Sequence, residues 1–207
     1  MDYLDAILYI NLAHRTDRNE HILHEIKKIC KDESKIHRID AVKKDPGALG
    51  CSLSHINVLQ CVLDQHPSWN KILVLEDDFT FFSNDGDEIE KAIRLLSNYE
   101  NLDVGLLSHG DDKFQCDDTD IDTIKKVKYS QTTSSYIITR KYMPTLLQNM
   151  RESASDMMHN GKRHHNCLDI HWTILQPHAN WLCLHPPIGY QYDNYSDIEQ
   201  RVVCYKC

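Results

Sequence analysis

The sequence lacks any hydrophobic run long enough to cross a membrane. Its first apolar stretch, Ala6–Ile10, is also too short for the core of a signal peptide, and the opening Met1-Asp2-Tyr3-Leu4-Asp5 has no basic residue. The expectation is a cytoplasmic protein without a membrane span. Positive charge is scarce as well: 23 Lys and Arg against 31 Asp and Glu give a formal net charge of −8. That balance excludes a general nucleic-acid binder, which would present a basic face. It leaves room for a phosphate-bearing ligand, because a metal ion and a few arginines can supply local positive charge. No internal repeat, low-complexity tract or linker is visible, and neither a GxxxxGK[ST] phosphate loop nor a GxGxxG fingerprint occurs. What is present is 207 residues, 41% hydrophobic and 26% charged, the make-up of an ordinary globular chain. That length supports one sizeable core, read as a single domain over residues 1–207.

Eight cysteines are scattered at Cys30, Cys51, Cys61, Cys116, Cys167, Cys183, Cys204 and Cys207. Several fall within apolar helical patterns, where a reduced Cys behaves as a small core hydrophobe. With no secretory signal, reduced thiols are expected. Cys204 and Cys207 form one CxxC. A zinc site would need a second pair, for which His164, His165 and Cys167 are only a loose candidate.

Strand and helix patterns alternate through about residue 150. Residues 5–10 read as a strand, Asn11–Arg18 as a polar turn, and Asp17 with Glu20 as the start of a helix carrying Ile22, Ile26 and Ile29. Ile36–Val42 is a second strand, and Asp45-Pro46-Gly47 a turn. Leu49, Leu53, Ile56, Leu59 and Leu63 mark a helix that ends before Pro67. A strand over 71–78 follows, then a helix opened by Asp85 and Glu88 with Ile89, Ile93, Leu96 and Tyr99 on one face. Asp103–Ser108 reads as a strand, Asp111–Asp122 as an acidic loop and Ser134–Thr139 as a strand. A helix through Leu146 and Met150 comes next, its start left open by Pro144. His159–Asn166, Trp181–Pro187 and Tyr190–Ile198 read as irregular. This alternation predicts an α/β fold with a doubly wound, mostly parallel sheet and helices on both faces.

The most informative segment is Lys71-Ile-Leu-Val-Leu-Glu-Asp-Asp78. Four consecutive apolar residues indicate a strand buried on both faces, which belongs inside a parallel α/β sheet. Ligands of such sheets bind beyond the carboxyl ends of the strands. Glu76, Asp77 and Asp78 stand at that end, where mutual repulsion and desolvation call for a cation. In extended geometry Glu76 and Asp78 face one side and Asp77 the other. A pair of carboxylates suits a hard divalent ion, with diphosphate and water oxygens completing the shell. The plainer reading is a solvated strand end making surface ion pairs.

Two further segments add to this. Arg15 and Arg18 follow the first strand, where guanidinium groups can match phosphate oxygens, or can simply pair with Asp17 or Glu20. In Gly47-Ala-Leu-Gly-Cys-Ser-Leu-Ser-His55, two glycines before a helix could admit an anion to backbone N–H groups, or His55 could be a satisfied buried imidazole.

Taken in order, the segments Ile-Asn-Leu…Arg-x-Asp-Arg, Gly-Ala-Leu-Gly-Cys-Ser-Leu-Ser-His and Leu-Val-Leu-Glu-Asp-Asp resemble glycosyltransferase family 25. That family includes bacterial lipopolysaccharide sugar transferases, collagen-hydroxylysine galactosyltransferases and viral relatives. The likeness extends to Ser134-Ser-Tyr-Ile-Ile-Thr-Arg140, Pro186-Pro-Ile-Gly-Tyr-Gln191 and Ser196-Asp197-Ile198. It implies a GT-A fold, a single Rossmann-like domain using a nucleoside-diphosphate sugar, UDP-sugar first, and Mn2+ or Mg2+. Residues 1–110 would form the nucleotide-sugar half and residues 111–207 the acceptor side. Glu76-Asp77-Asp78 would stand for the DxD motif, with Glu76 and Asp78 as metal ligands. Asn11, Arg15, Arg18, Asp40, Ser54, His55 and Asp77 would form the nucleotide-sugar site. The general base would be Asp169, with Asp111 and Asp112 competing for the role. The acceptor would be a glycan or glycoprotein hydroxyl, and one or two of Trp172, Trp181, Tyr190, Tyr192 and Tyr195 would line its cleft.

Two rival readings differ in kind. Glu76-Asp77-Asp78-Phe79-Thr80 superficially resembles the DxDxT loop of haloacid-dehalogenase-type phosphatases, but that chemistry needs an aspartate nucleophile where this chain has Glu76. A non-catalytic sugar-nucleotide or glycan-binding module would keep the fold without turnover. Retention of all three acids and both arginines speaks against it.

Overall fold

A computed structural model describes residues 1–110, 113–196 and 201–203. The apolar run forms β3, Lys71–Glu76, in which Ile72, Leu73, Val74 and Leu75 are fully buried. Alternate side chains of a strand leave on opposite faces. Ile72 and Val74 therefore enter one core, and Leu73 and Leu75 the other. The parallel neighbour β1, Ala6–Asn11, divides its residues in the same way, with Leu8 and Ile10 on one side and Ile7 and Tyr9 on the other. Beyond it lies β2, Ile36–Asp40, also parallel.

Helices cover both faces. On the Leu73 side, α1 (Thr16–Ile29) packs Ile22, Ile26 and Ile29, and α3 (Gly86–Ser97) packs Ile89, Ile93 and Leu96. On the Val74 side, α2 (Gly47–Gln65) contributes Val58, Leu59 and Val62, and α4 (Met143–Asn160) contributes Leu146, Leu147 and Met150. Asp85 caps α3 by accepting from the N–H groups of Asp87 and Glu88. Pro144 falls in the first turn of α4, where its missing N–H costs no helical hydrogen bond. Gly161, at φ +74°, follows the helix end.

The main sheet also contains β5 (Val104–Leu106), β6 (Gln115–Asp118), β7 (Ile124–Tyr129), β8 (Ser135–Thr139) and β9 (Trp181–Leu184). Its strand order is β2-β1-β3-β8-β5-β9-β7-β6. The pairs β1–β2, β1–β3 and β5–β9 are parallel. The pairs β3–β8, β5–β8, β7–β9 and β6–β7 are antiparallel, so the α/β sheet is mixed. Three strands of this sheet correct the sequence reading: β6 lies within the stretch read as an acidic loop, β7 between that loop and the next strand, where that reading places no element, and β9 within a stretch read as irregular. The Trp-Leu-Cys-Leu run of β9 is wholly buried because β5 and β7 flank it and both cores close over it.

Two short ribbons complete the structure: β4 (Phe79–Phe81) with β10 (Gly189–Gln191), and β11 (Asn194–Ser196) with β12 (Arg201–Val203). A one-turn helix, α5 (Leu168–His171), precedes the 172–178 segment. Among the described residues no helix is long and apolar enough to cross a membrane. The described cysteines, Cys30, Cys51, Cys61, Cys116, Cys167 and Cys183, are free thiols.

Candidate active site

Parallel pairing brings the carboxyl ends of β1, β2 and β3 to one edge, with Asn11 opposite Asp40 and Ile10 opposite Glu76. Because β8 runs antiparallel to β3 and pairs Ser135 with Leu75, the loop that precedes it, including Thr132 and Thr133, arrives at the same edge. The β4–β10 ribbon returns Gln191 there from far along the chain. These crossings assemble a site from side chains that the sequence keeps apart.

The three acids have distinct partners. Glu76 ends the strand and accepts hydrogen bonds from Thr133 Oγ1 (2.6 Å) and Gln191 Nε2 (3.3 Å), and its Oε1 lies 3.1 Å from His55 Nε2. Asp77 accepts from Asn11 Nδ2 (2.7 Å) and Arg18 Nη1 (2.9 Å). Asp78 accepts from the same Arg18 nitrogen (3.1 Å) and from Gln191 Nε2 (3.2 Å). Arg18 bridges Asp77 and Asp78, but Glu76 and Asp78 also share one amide on the side away from Asn11, the side that strand alternation assigns to both. Asp78 reaches that side from a turn, not from the strand itself.

Burial sets the electrostatics. Asp78 is pushed up to about 7, first by burial and then by the Glu76 charge, with Arg18 opposing. Asp77 is also raised by burial, against the pull of Arg18 and Asn11. Burial raises Glu76 too, but hydrogen bonding and charge from His55, with the Thr133 hydroxyl, outweigh it and leave Glu76 lowered. An ionised Glu76 fixes His55 Nε2–H as the donor to it, while Nδ1 lies 3.0 Å from the Tyr136 hydroxyl.

The other residues singled out in the sequence fall into two groups. Asn11, Arg18, His55 and Asp77 join the acidic corner. Arg15 turns onto Asp17, with Nε and Nη2 at 3.0 and 2.9 Å from its two oxygens. Asp40 ends β2 beside Asn11, exposed and paired with Arg38 at 3.0 Å. Ser54 is buried. Its hydroxyl donates to the Gly50 carbonyl (2.7 Å) and accepts from the Val42 N–H (2.8 Å), which pins the β2–α2 loop. The glycines of Gly47-Ala-Leu-Gly50 lie inside the first turn of α2, not before it. A Cβ on Gly50 would sit 2.4 Å from the Val42 carbonyl oxygen, so close packing explains that glycine.

Asp169 stands in the first turn of α5, within electrostatic reach of Glu76. Its carboxyl is raised by burial and by the Glu76 charge, and held back by its own backbone N–H and that of Thr132. Asp111 and Asp112 lie outside the described residues. Thr133 and Gln191 are direct partners of the acids that the reading of candidate residues missed. Gln191 appeared there only as the last residue of a motif.

A hard divalent cation suits this donor set. Three buried or half-buried carboxylates meet at this corner: Asp77 and Asp78 on the Arg18 guanidinium, and Glu76 and Asp78 on the same amide nitrogen. Cys51, His55 and Glu76 also bring ligand-type atoms within 4.8 Å of one another. Burial, followed by the Glu76, Asp169 and Asp78 charges, raises Cys51 well above the ordinary thiol range, which keeps it a neutral thiol.

The model of Glycosyltransferase family 25 (LPS biosynthesis protein) matches residues 45–159, more than half of the chain. Among solved structures, a glycosyltransferase involved in the glycosylation of the major capsid of PBCV-1 aligns with a TM-score of 0.58 at 11% identity, covering 87% of this chain and 81% of that one. Mannose-1-phosphate geranyltransferase from Thermus thermophilus aligns with a TM-score of 0.49 at 9% identity, covering 86% and 72%. No curated protein matches. The likeness to the PBCV-1 enzyme is one of fold, and the matched family segment carries α2, β3 and the three acids. The chain belongs to glycosyltransferase family 25.

Proposed function

We propose that this glycosyltransferase moves a sugar from a nucleoside-diphosphate sugar, UDP-sugar first, to a hydroxyl of a glycan or glycoprotein, with Mn2+ or Mg2+ held by Asp78 and Glu76. The observation that carries this reading is the concentration of carboxylate at the ends of the parallel strands, where Asp77 and Asp78 share the Arg18 guanidinium and Glu76 and Asp78 share the Gln191 amide. A divalent ion bound there offsets the charge that develops on a departing diphosphate. The chain's own groups prepare the corner. Thr133 and His55 hold Glu76 ionised, and Asn11 and Arg18 fix Asp77. Arg15 and Asp40 border the ends of β1 and β2, where the nucleotide is proposed to lie.

Asp169 is the proposed base. A carboxylate whose proton affinity is raised by burial accepts a proton more readily than a solvated one. As the acceptor oxygen bonds to the anomeric carbon, its proton passes to Asp169 and the nucleoside diphosphate leaves with the electron pair of the broken C–O bond. The acceptor side is assigned to residues 111–207. A reducing, cytoplasmic setting is in keeping with the free thiols.

Thermal unfolding with a series of nucleotide sugars, with and without Mn2+, tests the proposal. A UDP-sugar with Mn2+ at ~100 times its dissociation constant is expected to stabilise the fold by about 2.7 kcal/mol. Asp78→Ala is expected to abolish the shift. An unchanged shift in that variant rejects Asp78 as a ligand. Tight donor binding with neither hydrolysis nor transfer would instead identify a non-catalytic module.

A further inference from the structure

We propose that the outward face of the β4–β10 ribbon is a saccharide subsite, where Phe82, braced by Tyr190, stacks against a sugar ring of the acceptor. The acceptor is then itself a glycan and not a bare protein hydroxyl. This inference rests on the transferase reading above.

Ribbon strand β4 shows how unusual Phe82 is. Phe79 and Phe81 point into the core and are 0% and 3% exposed, whereas Phe82, which follows them, is 62% exposed. Its backbone N–H is held by the Ile188 carbonyl at 3.0 Å, so the residue is anchored while its ring is open to solvent. The Tyr190 ring stacks on it, with centroids 4.9 Å apart and planes 19° from parallel. A ring fixed in advance loses little conformational freedom when a ligand settles on it.

The face continues toward the acidic corner. Tyr192 packs against His21 with centroids 4.3 Å apart, and His21 Nε2 lies 3.0 Å from Thr80 Oγ1. The result is a strip of aromatic surface edged by hydroxyl and imidazole groups. A pyranose ring has matching chemistry, with one face of C–H groups and a rim of hydroxyls.

Two links tie the strip to the proposed active site. Gln191, between Tyr190 and Tyr192, leaves the ribbon on its inner face and reaches Glu76 and Asp78 there, so the acids stand just across the ribbon from the strip. Arg18, which holds Asp77 and Asp78, lies one helical turn before His21 on α1. Phe82 is four residues beyond Asp78, a span of at most ~13 Å by strand rise. The platform therefore serves a sugar neighbouring the one that carries the reacting hydroxyl.

Other occupants fit less well. Among the described residues the exposed large hydrophobics are Phe82, Leu95, Met158 and Ile174, and of these Phe82 alone is aromatic and beside the acids. Two rings fall far short of the ~800 Å² per partner that a stable protein interface buries. The exposed Asp85, Asp87 and Glu88 that follow Phe82 would repel an anionic lipid surface.

The test uses an array of neutral gluco-, galacto- and manno-oligosaccharides of two to four sugars, with unglycosylated Ser/Thr peptides beside them. It is probed with the wild-type chain, Phe82→Ala, Phe82→Trp and Tyr190→Ala, and UDP binding with Mn2+ is measured by calorimetry on each. Retention of the wild type by at least one oligosaccharide is expected. It should weaken at least tenfold in Phe82→Ala, weaken in Tyr190→Ala and return in Phe82→Trp, with UDP affinity and melting temperature unchanged. Retention on no oligosaccharide, retention indifferent to all three substitutions, or retention on the bare peptides alone overturns the subsite. Failure of the wild type to bind UDP with Mn2+ overturns the metal-dependent UDP-sugar reading beneath it, whatever the array shows.

Discussion

At the scale of single residues, Asp78 combines the strongest conflict with the clearest test. Its folded pKa of about 7 lies above the ordinary carboxyl value of 3.8, so folding favours its protonated form. The sign follows from linkage: below about pH 4 the group costs nothing, the penalty grows as pH rises, and it is complete above about 7. A shift of that size corresponds to a few kcal/mol. In EDTA, Asp78→Asn is therefore expected to raise the melting temperature by several degrees at pH 8, with the gap closing near pH 4. Scanning fluorimetry across that range reads it directly, and a variant less stable than wild type at pH 8 contradicts the account. The acids themselves were legible in the sequence because they are consecutive and follow an apolar strand. Their partners were not. Gln191 is 115 positions from Glu76, and Thr133 is 57 positions away. Nothing local tells that either one meets the acids; only the direction of β8 and the return of β10 bring them in.

At the scale of elements, α2 shows two principles pulling in opposite directions. Alanine is a better helix former than glycine by about 1 kcal/mol, so Gly50→Ala would ordinarily stabilise. Here its Cβ would press to 2.4 Å from the Val42 carbonyl, a backbone atom that moves only with the whole β2–α2 loop. Overpacking of this kind costs ~1–3 kcal/mol and should win. Urea denaturation is expected to show a net loss of stability, together with faster hydrogen exchange at the Val42 amide that Ser54 holds. A stabilised variant would mean that the loop yields freely. The same scale explains which elements the sequence revealed. The strands β1 and β3 carry unbroken apolar runs, and the helices α1 to α3 repeat their apolar residues at helical spacing. The strand β7, Ile-Lys-Lys-Val-Lys-Tyr, buries only Ile124 and Val127, three positions apart, which breaks the alternation that marks a strand. Trp181–Leu184 is an apolar run as long as that of β3, but it has no β-branched residue and stands close to two prolines, so it does not declare its type.

At the scale of the whole molecule, stability depends on that overlooked strand. Trp181 is fully buried and meets Trp172 edge-on at 5.0 Å and Tyr142 at 6.2 Å, inside the core shared by α2 and α4. Trp181→Ala is expected to cost ~3–5 kcal/mol, measured as a lower urea midpoint. A loss below about 1 kcal/mol would show that this half of the sheet tolerates loose packing. The strand order has a practical corollary for anyone shortening the chain. A fragment stopping at residue 110 would keep β2, β1 and β3 but strip β3 of β8, and would leave β5 with neither β8 nor β9 beside it. Such a piece would present a raw apolar border of unmet N–H and C=O groups, ready to stick to its own copies. The first 110 residues are thus no detachable module, and expression trials should retain at least everything through the last strand of the main sheet.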